Sequence, residues 1–144
     1  MSELLEKARS YEAKKIAATD KESKPLFHIS APAGWINDPN GFSVYNGKIH
    51  LFYQYYPYLR EWGPMHWGHS TTSDMIKWEQ LPCAMAPDEE YDKKGCFSGS
   101  AIEADGKHVL VYTGVTRIKL PDGSEQERQN QCIAFGDGLN YVKH

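Results

Sequence analysis

The chain has 144 residues, which is enough for one ordinary domain with a hydrophobic core. Its formal net charge of −3 does not point to an anionic partner, so we expect neither nucleic acid nor an anionic membrane surface as a partner. The N-terminus has no signal-peptide core and no stretch is apolar over the length of a bilayer, and we therefore expect a cytoplasmic protein without membrane contact.

Residues 3–18 have the apolar spacing of an amphipathic helix, with Glu and Lys around the rest of its circumference. Ser2 stands where a helix N-cap is expected. A polar connector, residues 19–25, follows. We expect residues 1–24 to form a helix and connector on the outside of a main body that comprises residues 25–144. The residues predicted to face that body are Leu4, Leu5, Ala8, Tyr11 and Ile16.

From Phe27 onward the composition becomes β-rich, and apolar residues alternate with polar ones as in half-buried strands. Asn46-Gly47 and Asp105-Gly106 each separate two such runs, and dipeptides of this kind are the strongest short hairpin signal. Asp122-Gly123 and Asp137-Gly138 predict two further turns. The predicted strands cover residues 42–45, 48–55, 66–73, 77–81, 97–103, 108–114 and 127–135.

A weak internal repeat relates residues 41–53 to residues 99–112, with one residue inserted. Each copy is followed by a strand that ends in an acidic turn, at Ser73-Asp74 and at Gly136-Asp137. A repeat of about 60 residues built from antiparallel strands is typical of β-propeller blades. Propellers have about four to eight blades. We therefore expect the chain to be the beginning of a longer protein, with a second blade that stops inside its outermost strand at His144.

Residues 35–41, Trp-Ile-Asn-Asp-Pro-Asn-Gly, place one carboxylate between two carboxamides. Pro39 keeps Asp38 out of the helical region, and Gly41 can adopt a dihedral angle that other residues resist. Such a loop can hold the Asp38 carboxylate in one orientation, as nucleophilic attack on a sugar requires. An Asx-type turn between strands explains the same residues, because Asn, Asp, Pro and Gly are the commonest turn formers.

Two aromatic segments follow this motif. Gln54 lies in an aromatic strand, where its amide either binds sugar hydroxyls or faces solvent. The indole of Trp62 or Trp67 suits the apolar face of a sugar ring, although packing is the commoner role of tryptophan. His66 and His69 are three residues apart, and on a strand such residues point to opposite faces, so we predict no metal site.

Residues 95–100 combine small residues with the Phe97 ring and the Ser98 hydroxyl. Small residues allow a backbone to approach a ligand closely, but taken alone, residues 96–100 are most simply explained as a strand that enters the second blade. Neither a phosphate-binding loop nor a nucleophile elbow is present, and no cofactor is predicted.

The remaining titratable residues do not form the pattern of a catalytic or metal site. Three cysteines, Cys83, Cys96 and Cys132, are an odd number without CxxC spacing, which predicts reduced and partly buried thiols. The acidic run at residues 88–92 is predicted to lie on a solvated surface.

Five segments, taken together, resemble the N-terminal part of glycoside hydrolase family 32, the group of invertases and fructan hydrolases. They occur in the family's order and at plausible spacing, and the resemblance runs from about Pro25 to the end of the chain. The segments are residues 35–41, 52–54, 62–69 (Trp-Gly-Pro-Met-His-Trp-Gly-His), 91–100 and 131–132.

The resemblance implies an all-β fold, a five-bladed β-propeller of which this chain covers an N-terminal helix and roughly the first two blades. It implies retaining hydrolysis of terminal β-D-fructofuranosides such as sucrose, sucrose 6-phosphate or fructo-oligosaccharides, without a metal or another cofactor. It further implies that Asp38 is the nucleophile and forms a fructosyl-enzyme intermediate. The residues that match the family's fructose pocket are Asn37, Gln54, Trp62, Phe97 and Ser98.

Two family motifs do not occur in the chain: an Arg-Asp-Pro motif, whose Asp binds fructose hydroxyls, and a Glu-Cys motif that supplies the acid/base Glu. Both are expected downstream of His144, and the chain alone is therefore expected to be inactive. The alternatives to a hydrolase are a fructosyltransferase and a non-catalytic carbohydrate-binding fragment. No pattern indicates the preferred fructoside or the oligomeric state.

Overall fold

The computed structural model describes residues 1–20, 22 and 24–144, and Lys21 and Ser23 of the predicted connector lie outside the described residues. In the described part of the chain, one α-helix precedes eight strands, and no helix is long and apolar enough to span a membrane. The helix is α1 (Glu3–Ala18). The strands are β1 (Trp35–Tyr45), β2 (Lys48–Tyr56), β3 (His66–Thr72), β4 (Glu79–Met85), β5 (Gly95–Ala104), β6 (Lys107–Lys119), β7 (Glu125–Gly136) and β8 (Tyr141–Lys143).

The strands form two four-stranded antiparallel meanders, which we call blade one (β1-β2-β3-β4) and blade two (β5-β6-β7-β8). The blades begin at Trp35 and Gly95, which confirms the repeat of about 60 residues. The predicted hairpin turns are also confirmed, because Asn46-Gly47 and Asp105-Gly106 adopt positive φ angles of 48° and 71° and of 50° and 70°. Consecutive four-stranded antiparallel sheets are the architecture of a β-propeller, as expected.

Several strands extend beyond their predicted bounds. β4 occupies Glu79–Met85 rather than residues 77–81. β6 and β7 continue as a ladder as far as the pair Lys119 and Glu125, around the Asp122-Gly123 turn. The outer half of β7 is exposed on both faces, so no alternation of polar and apolar residues marks it as a strand.

Helix α1 covers the edge of β4, the outermost strand of blade one. Its predicted cap is confirmed, since the Leu5 backbone N–H donates to Ser2 Oγ at 3.2 Å. Glu12 Oε2 accepts from the Cys83 backbone N–H at 2.9 Å. Arg9 Nε donates to the Cys83 carbonyl at 2.8 Å. These two side chains occupy backbone groups that would otherwise be open to pairing with another strand.

The buried face of α1 differs from the predicted one. Leu5 and Ala8 pack against blade one, but Leu4 and Ile16 are 43% and 42% exposed. Glu12, which belongs to the residues expected on the exposed circumference, is buried, and burial raises the pKa of its carboxyl to about 7. The physical reason is the edge of β4, which requires an acceptor for a backbone N–H at this point.

The two blades share one buried core. All three cysteines are free and buried, as predicted, with Cys83 beneath α1. Burial raises the pKa of the Cys83 and Cys96 thiols well above its ordinary value, which makes them poor nucleophiles. The core side chains that both blades contribute are Phe52, Trp67, Ala84, Met85, Cys96, Leu110, Tyr112, Cys132, Ala134 and Tyr141.

Three histidines, which we call the histidine cluster, meet between the blades. His50 Nδ1 and His69 Nε2 share a hydrogen bond of 2.9 Å. The His108 ring is hydrogen-bonded to the Ser43 hydroxyl at 2.9 Å and to the Tyr141 hydroxyl at 2.8 Å. Burial lowers the pKa of all three rings, that of His108 to about 4, and the rings are therefore neutral at pH 7.

The prediction of a solvated surface is wrong for two residues of the acidic run 88–92. Asp92 is fully buried and accepts hydrogen bonds from the Tyr112 hydroxyl at 2.8 Å and from Lys143 Nζ at 2.6 Å. Lys143 Nζ also forms an ion pair with Asp88. Because this counter-ion lies 51 residues away from Asp92, no local pattern could reveal the burial.

We expect the protein to lose stability as the pH falls from about 6.5 to 4. Four histidines have a pKa below the ordinary value of 6.5 because they are buried, and they are His50, His66, His69 and His108. Below pH 6.5 the unfolded chain takes up protons that the folded chain does not. Stability therefore declines by roughly 1.4 kcal/mol per pH unit for each histidine that stays neutral in the fold.

The raised pKa of Glu12 acts in the opposite direction, because its contribution to stability is lost as the pH rises from 4.5 to about 7. Because four histidines act against this single carboxyl, the net stability should still fall on acidification. The measurement is the urea midpoint between pH 4.5 and 7.5, with His108→Phe expected to flatten the profile. The matched control is His28→Gln, at an exposed histidine, which should leave the profile unchanged. A midpoint that does not fall on acidification would contradict the account.

Lys143→Met should lower the free energy of unfolding by about 3–5 kcal/mol, because it leaves the Asp92 carboxylate buried without its counter-ion. The matched control is Lys48→Met, which breaks an exposed pair with Glu79 and should have an effect below about 1 kcal/mol. Urea unfolding of both variants provides the comparison. Equal losses of unfolding free energy in the two variants would show that the buried ion pair contributes no more to stability than the exposed one.

Candidate active site

Asp38 lies in a β-bulge near the start of β1. The pairing of β1 with β2 shifts between Ile36 and Pro39. As a result, Asn37 and Asp38 together oppose one residue of β2, Gln54. A bulge bends its strand and re-aims side chains, and bulges are frequent next to active sites. The motif predicted as a loop is therefore an irregular strand, and its carboxylate is exposed.

Ser98 lies in a second bulge, on β5. The pairing of β5 with β6 shifts between Phe97 and Gly99, so that Ser98 has no partner of its own on β6. The Ser98 hydroxyl donates to Oδ2 of Asp38 at 3.0 Å, although the two residues are 60 positions apart. Two bulges from different blades thus face each other at the seam between the blades. The explanation of residues 95–100 as a strand entering blade two is confirmed.

Two aromatic rings contact each other, and one of them belongs to Phe97, the residue before Ser98. The Trp62 indole meets the Phe97 ring edge to face, with 6.0 Å between ring centroids and an interplanar angle of 89°. Trp62 is 53% exposed, so one face of its ring is open to a ligand. In the residue before Asp38, Asn37 Oδ1 accepts from the Trp35 indole N–H at 2.7 Å. The residues next to Asp38 and Ser98 in the chain therefore provide an oriented amide, at Asn37, and an aromatic pair that includes Phe97.

Gln54 and Trp67 connect blade one to the backbone of β5. Gln54 is 3% exposed, so the alternative of a solvent-facing residue is wrong, and its Nε2 donates to the Cys96 carbonyl at 2.9 Å. Trp67 is fully buried, and its indole N–H donates to the Phe97 carbonyl at 3.2 Å. Trp67 therefore has the packing role that is commoner for tryptophan.

Asn40 is a seam residue to which the sequence motifs assign no role. Its Oδ1 accepts from the Gly99 backbone N–H at 3.3 Å, across the seam. No spacing along the chain points to this contact, because the partners are 59 residues apart. Among the six predicted site residues, the structure joins Asp38 to Ser98 and Trp62 to Phe97. Gln54 contacts the Cys96 carbonyl on β5, and Asn37 directly precedes Asp38.

In the described residues, no three His, Cys, Asp or Glu side chains are grouped so as to hold a metal ion. Of the two histidines considered as ligands, His66 is hydrogen-bonded through Nδ1 to the Pro64 carbonyl at 2.9 Å, and His69 belongs to the histidine cluster. The seam offers instead an exposed carboxylate, a hydroxyl in contact with it, amides and two aromatic rings. This set of groups suits the hydroxyls and the apolar face of a sugar.

Residues 28–144 match the model of the glycosyl hydrolases family 32 N-terminal domain. The chain belongs to glycosyl hydrolase family 32. The predicted family and the predicted propeller fold are thereby confirmed.

Members of family 32 with a known name or structure cover most of this chain. Sucrose-6-phosphate hydrolase of Escherichia coli is 48% identical over 120 residues, which are 83% of this chain and 25% of that protein. Levanase of Bacillus subtilis is 48% identical over 145 residues, covering 98% of this chain and 21% of the levanase. The family 32 β-fructofuranosidase of Bombyx mori superposes with a TM-score of 0.83 at 44% identity, covering 96% of this chain and 29% of that structure. The chain thus spans about a quarter of the length of the curated relatives it matches.

Gln54→Leu should lower the free energy of unfolding by about 1–3 kcal/mol, because the Cys96 carbonyl is left buried without a donor. Leucine keeps the approximate volume, so the loss reports the hydrogen bond. Gln129→Leu, at an exposed position on β7, is the matched control and should have no measurable effect. Urea unfolding at an unchanged m-value provides the measurement. A loss as small as that of the control would mean that Gln54 does not hold β5.

Proposed function

We propose that this chain is the nucleophile-bearing part of a retaining β-fructofuranosidase that hydrolyses terminal β-D-fructofuranosides. The observation that carries the proposal is the exposed Asp38 carboxylate, oriented across the seam by the Ser98 hydroxyl. Membership of family 32 supports it, as do relatives named for sucrose-6-phosphate and levan hydrolysis. A variant of the Bombyx mori enzyme is described in complex with sucrose, which supports a small carbohydrate as substrate.

In the proposed reaction, a carboxylate oxygen of Asp38 attacks the anomeric carbon of the fructosyl unit, and the bond to the leaving-group oxygen breaks. A general acid on the opposite face protonates that oxygen. Water, deprotonated by the same group, then attacks the fructosyl-enzyme ester and releases fructose with retained configuration. Asp38 returns to the carboxylate form, and no redox step or cofactor is required.

The other seam residues bind and orient the sugar in this proposal. Trp62 and Phe97 provide apolar surface for the C–H face of the ring, and their edge-to-face contact keeps both rings in place. The Gln54 amide is held by the Cys96 carbonyl, which leaves its oxygen as an acceptor for a hydroxyl. Asn37 and Ser98 add hydrogen-bonding groups on either side of the carboxylate.

The acid/base group of this proposal belongs to a part of the enzyme outside residues 1–144. The chain contains neither a Glu-Cys nor an Arg-Asp-Pro sequence, and it spans about a quarter of the length of its curated relatives. A retaining glycosidase needs two carboxyl groups about 5–5.5 Å apart, so the chain alone should not hydrolyse sucrose. We also propose a cytoplasmic location, in keeping with three free thiols.

The test uses the full-length protein that contains these residues, with sucrose as substrate. Asp38→Asn should lower kcat by roughly 10⁴-fold, since it removes a member of the catalytic group while preserving shape. Asp74→Asn, at an exposed turn carboxylate of blade one, is the control and should keep full activity. The isolated 144-residue chain should release no glucose or fructose.

Products at high sucrose concentration distinguish a hydrolase, which releases free fructose, from a transferase, which makes longer fructosides. Two results would contradict the proposal. One is substantial turnover by Asp38→Asn in the full-length protein. The other is turnover by the isolated chain that Asp38→Ala abolishes, because it would mean that the isolated chain holds both carboxyl groups.

A further inference from the structure

Blade one holds the bulged segment of β5 through its backbone as well as through the Asp38–Ser98 contact. Three side chains, one from each of β1, β2 and β3, reach this backbone. The contacts are Asn40 Oδ1 with Gly99 N–H at 3.3 Å, Gln54 Nε2 with the Cys96 carbonyl at 2.9 Å and Trp67 Nε1 with the Phe97 carbonyl at 3.2 Å. The position of β5 therefore depends on polar side-chain groups of the other sheet.

Asn40 makes the contact that lies nearest to both functional side chains along the chain. It follows Asp38 by two residues on β1, and its partner Gly99 directly follows Ser98. β1 is irregular on both sides of Asn40, since its pairing with β2 shifts before Pro39 and again after Asn40. The regular ladder alone therefore does not fix β1 at this point.

Asn40 has the burial of a structural group. It is 3% exposed, and its carbonyl oxygen already accepts the hydrogen bond from the Gly99 backbone N–H. Its Nδ2 is buried and has no hydrogen-bond partner among the residues that the structure describes. A buried amide that leaves one donor unused is unfavourable for stability and calls for an explanation. The explanation we offer is the role of the carbonyl oxygen of the same amide, which binds the Gly99 backbone of blade two close to Ser98.

We propose that Asn40 is a positioning residue that sets the separation of the Asp38 carboxylate and the Ser98 hydroxyl. The inference rests on the proposed function, because it assigns Asn40 a part in that reaction. Ser98 has no partner of its own on β6, so the ladder of its own sheet constrains it less than its paired neighbours Phe97 and Gly99. The hydrogen bond from the Gly99 backbone N–H to Asn40 Oδ1 supplies a further constraint on the residue next to Ser98. The Ser98 hydroxyl, held in this way, then orients the attacking Asp38 carboxylate.

The first measurement compares two seam variants of the full-length protein acting on sucrose. Asn40→Leu keeps the approximate side-chain volume and removes the acceptor for the Gly99 N–H. It should lower kcat by about 10²-fold with little change in KM. The reason is that a small displacement of the reacting groups slows the chemical step more than it weakens substrate binding. Tyr45→Phe is the matched control. It lies on the same strand and removes a bond of the same kind, from the Tyr45 hydroxyl to the Gly106 carbonyl at 3.0 Å, and it should leave kcat unchanged.

The second measurement is a double-mutant cycle of Asn40→Leu with Ser98→Ala. If Asn40 acts through Ser98, the loss of kcat from Asn40→Leu should be much smaller in the Ser98→Ala background than in the parent protein. If Asn40 had a purely structural role, the fold losses of kcat from the two single variants would instead multiply in the double variant. Asn40→Ser, whose hydroxyl is too short to reach Gly99, serves in place of Asn40→Leu if the leucine variant does not fold, and it should reduce kcat similarly.

The outcomes separate this inference from the proposed function. If the parent protein hydrolyses sucrose only with Asp38 intact, but Asn40→Leu and Tyr45→Phe change kcat equally, the positioning role is refuted and the nucleophile stands. Losses that multiply in the cycle refute it as well. If the parent protein shows no turnover, or keeps it after Asp38→Asn, the proposed function fails, and the role of Asn40 fails with it.

Discussion

The hydrogen bond from Ser98 to Asp38 exists only while two separate sheets are packed in one register. Neither sheet creates it alone, because each residue lies in a bulge where the regular ladder of its own blade is interrupted. A displacement of one blade relative to the other would separate the hydroxyl from the carboxylate. The packing of blade one against blade two is therefore the constraint on which the geometry of the site depends.

Much of the seam that maintains this register is polar. The Ser43–His108 bond of the histidine cluster and the amide contacts of Gln54 and Asn40 all require specific partners. A purely apolar seam would tolerate small shifts, whereas a buried polar group that loses its partner is strongly unfavourable. We infer that these contacts select one arrangement of the blades. Helix α1 adds to this by occupying the edge of β4 and by reaching blade two, where Arg9 binds the Leu139 carbonyl.

The hairpins could be predicted from the sequence because Asn46-Gly47 and Asp105-Gly106 carry their conformational preference locally. The repeat likewise indicated the blades, and the family motifs pointed to Asp38 and to Ser98, which contacts it across the seam. The bulge at Asp38 could not be predicted, since Asn, Asp, Pro and Gly also favour turns. The burial of Gln54 and Asp92 could not be predicted either, because their partners lie 42 and 51 residues away and reach them only through tertiary packing.

We propose that a side-chain oxygen of Asp38 bonds covalently to the sugar. The most direct measurement treats the full-length protein with a fructoside inhibitor whose covalent adduct is slow to hydrolyse, and then maps the modified peptide by mass spectrometry. The account predicts a single label, on Asp38, that disappears in Asp38→Asn. A label of the same yield on any other residue would contradict it.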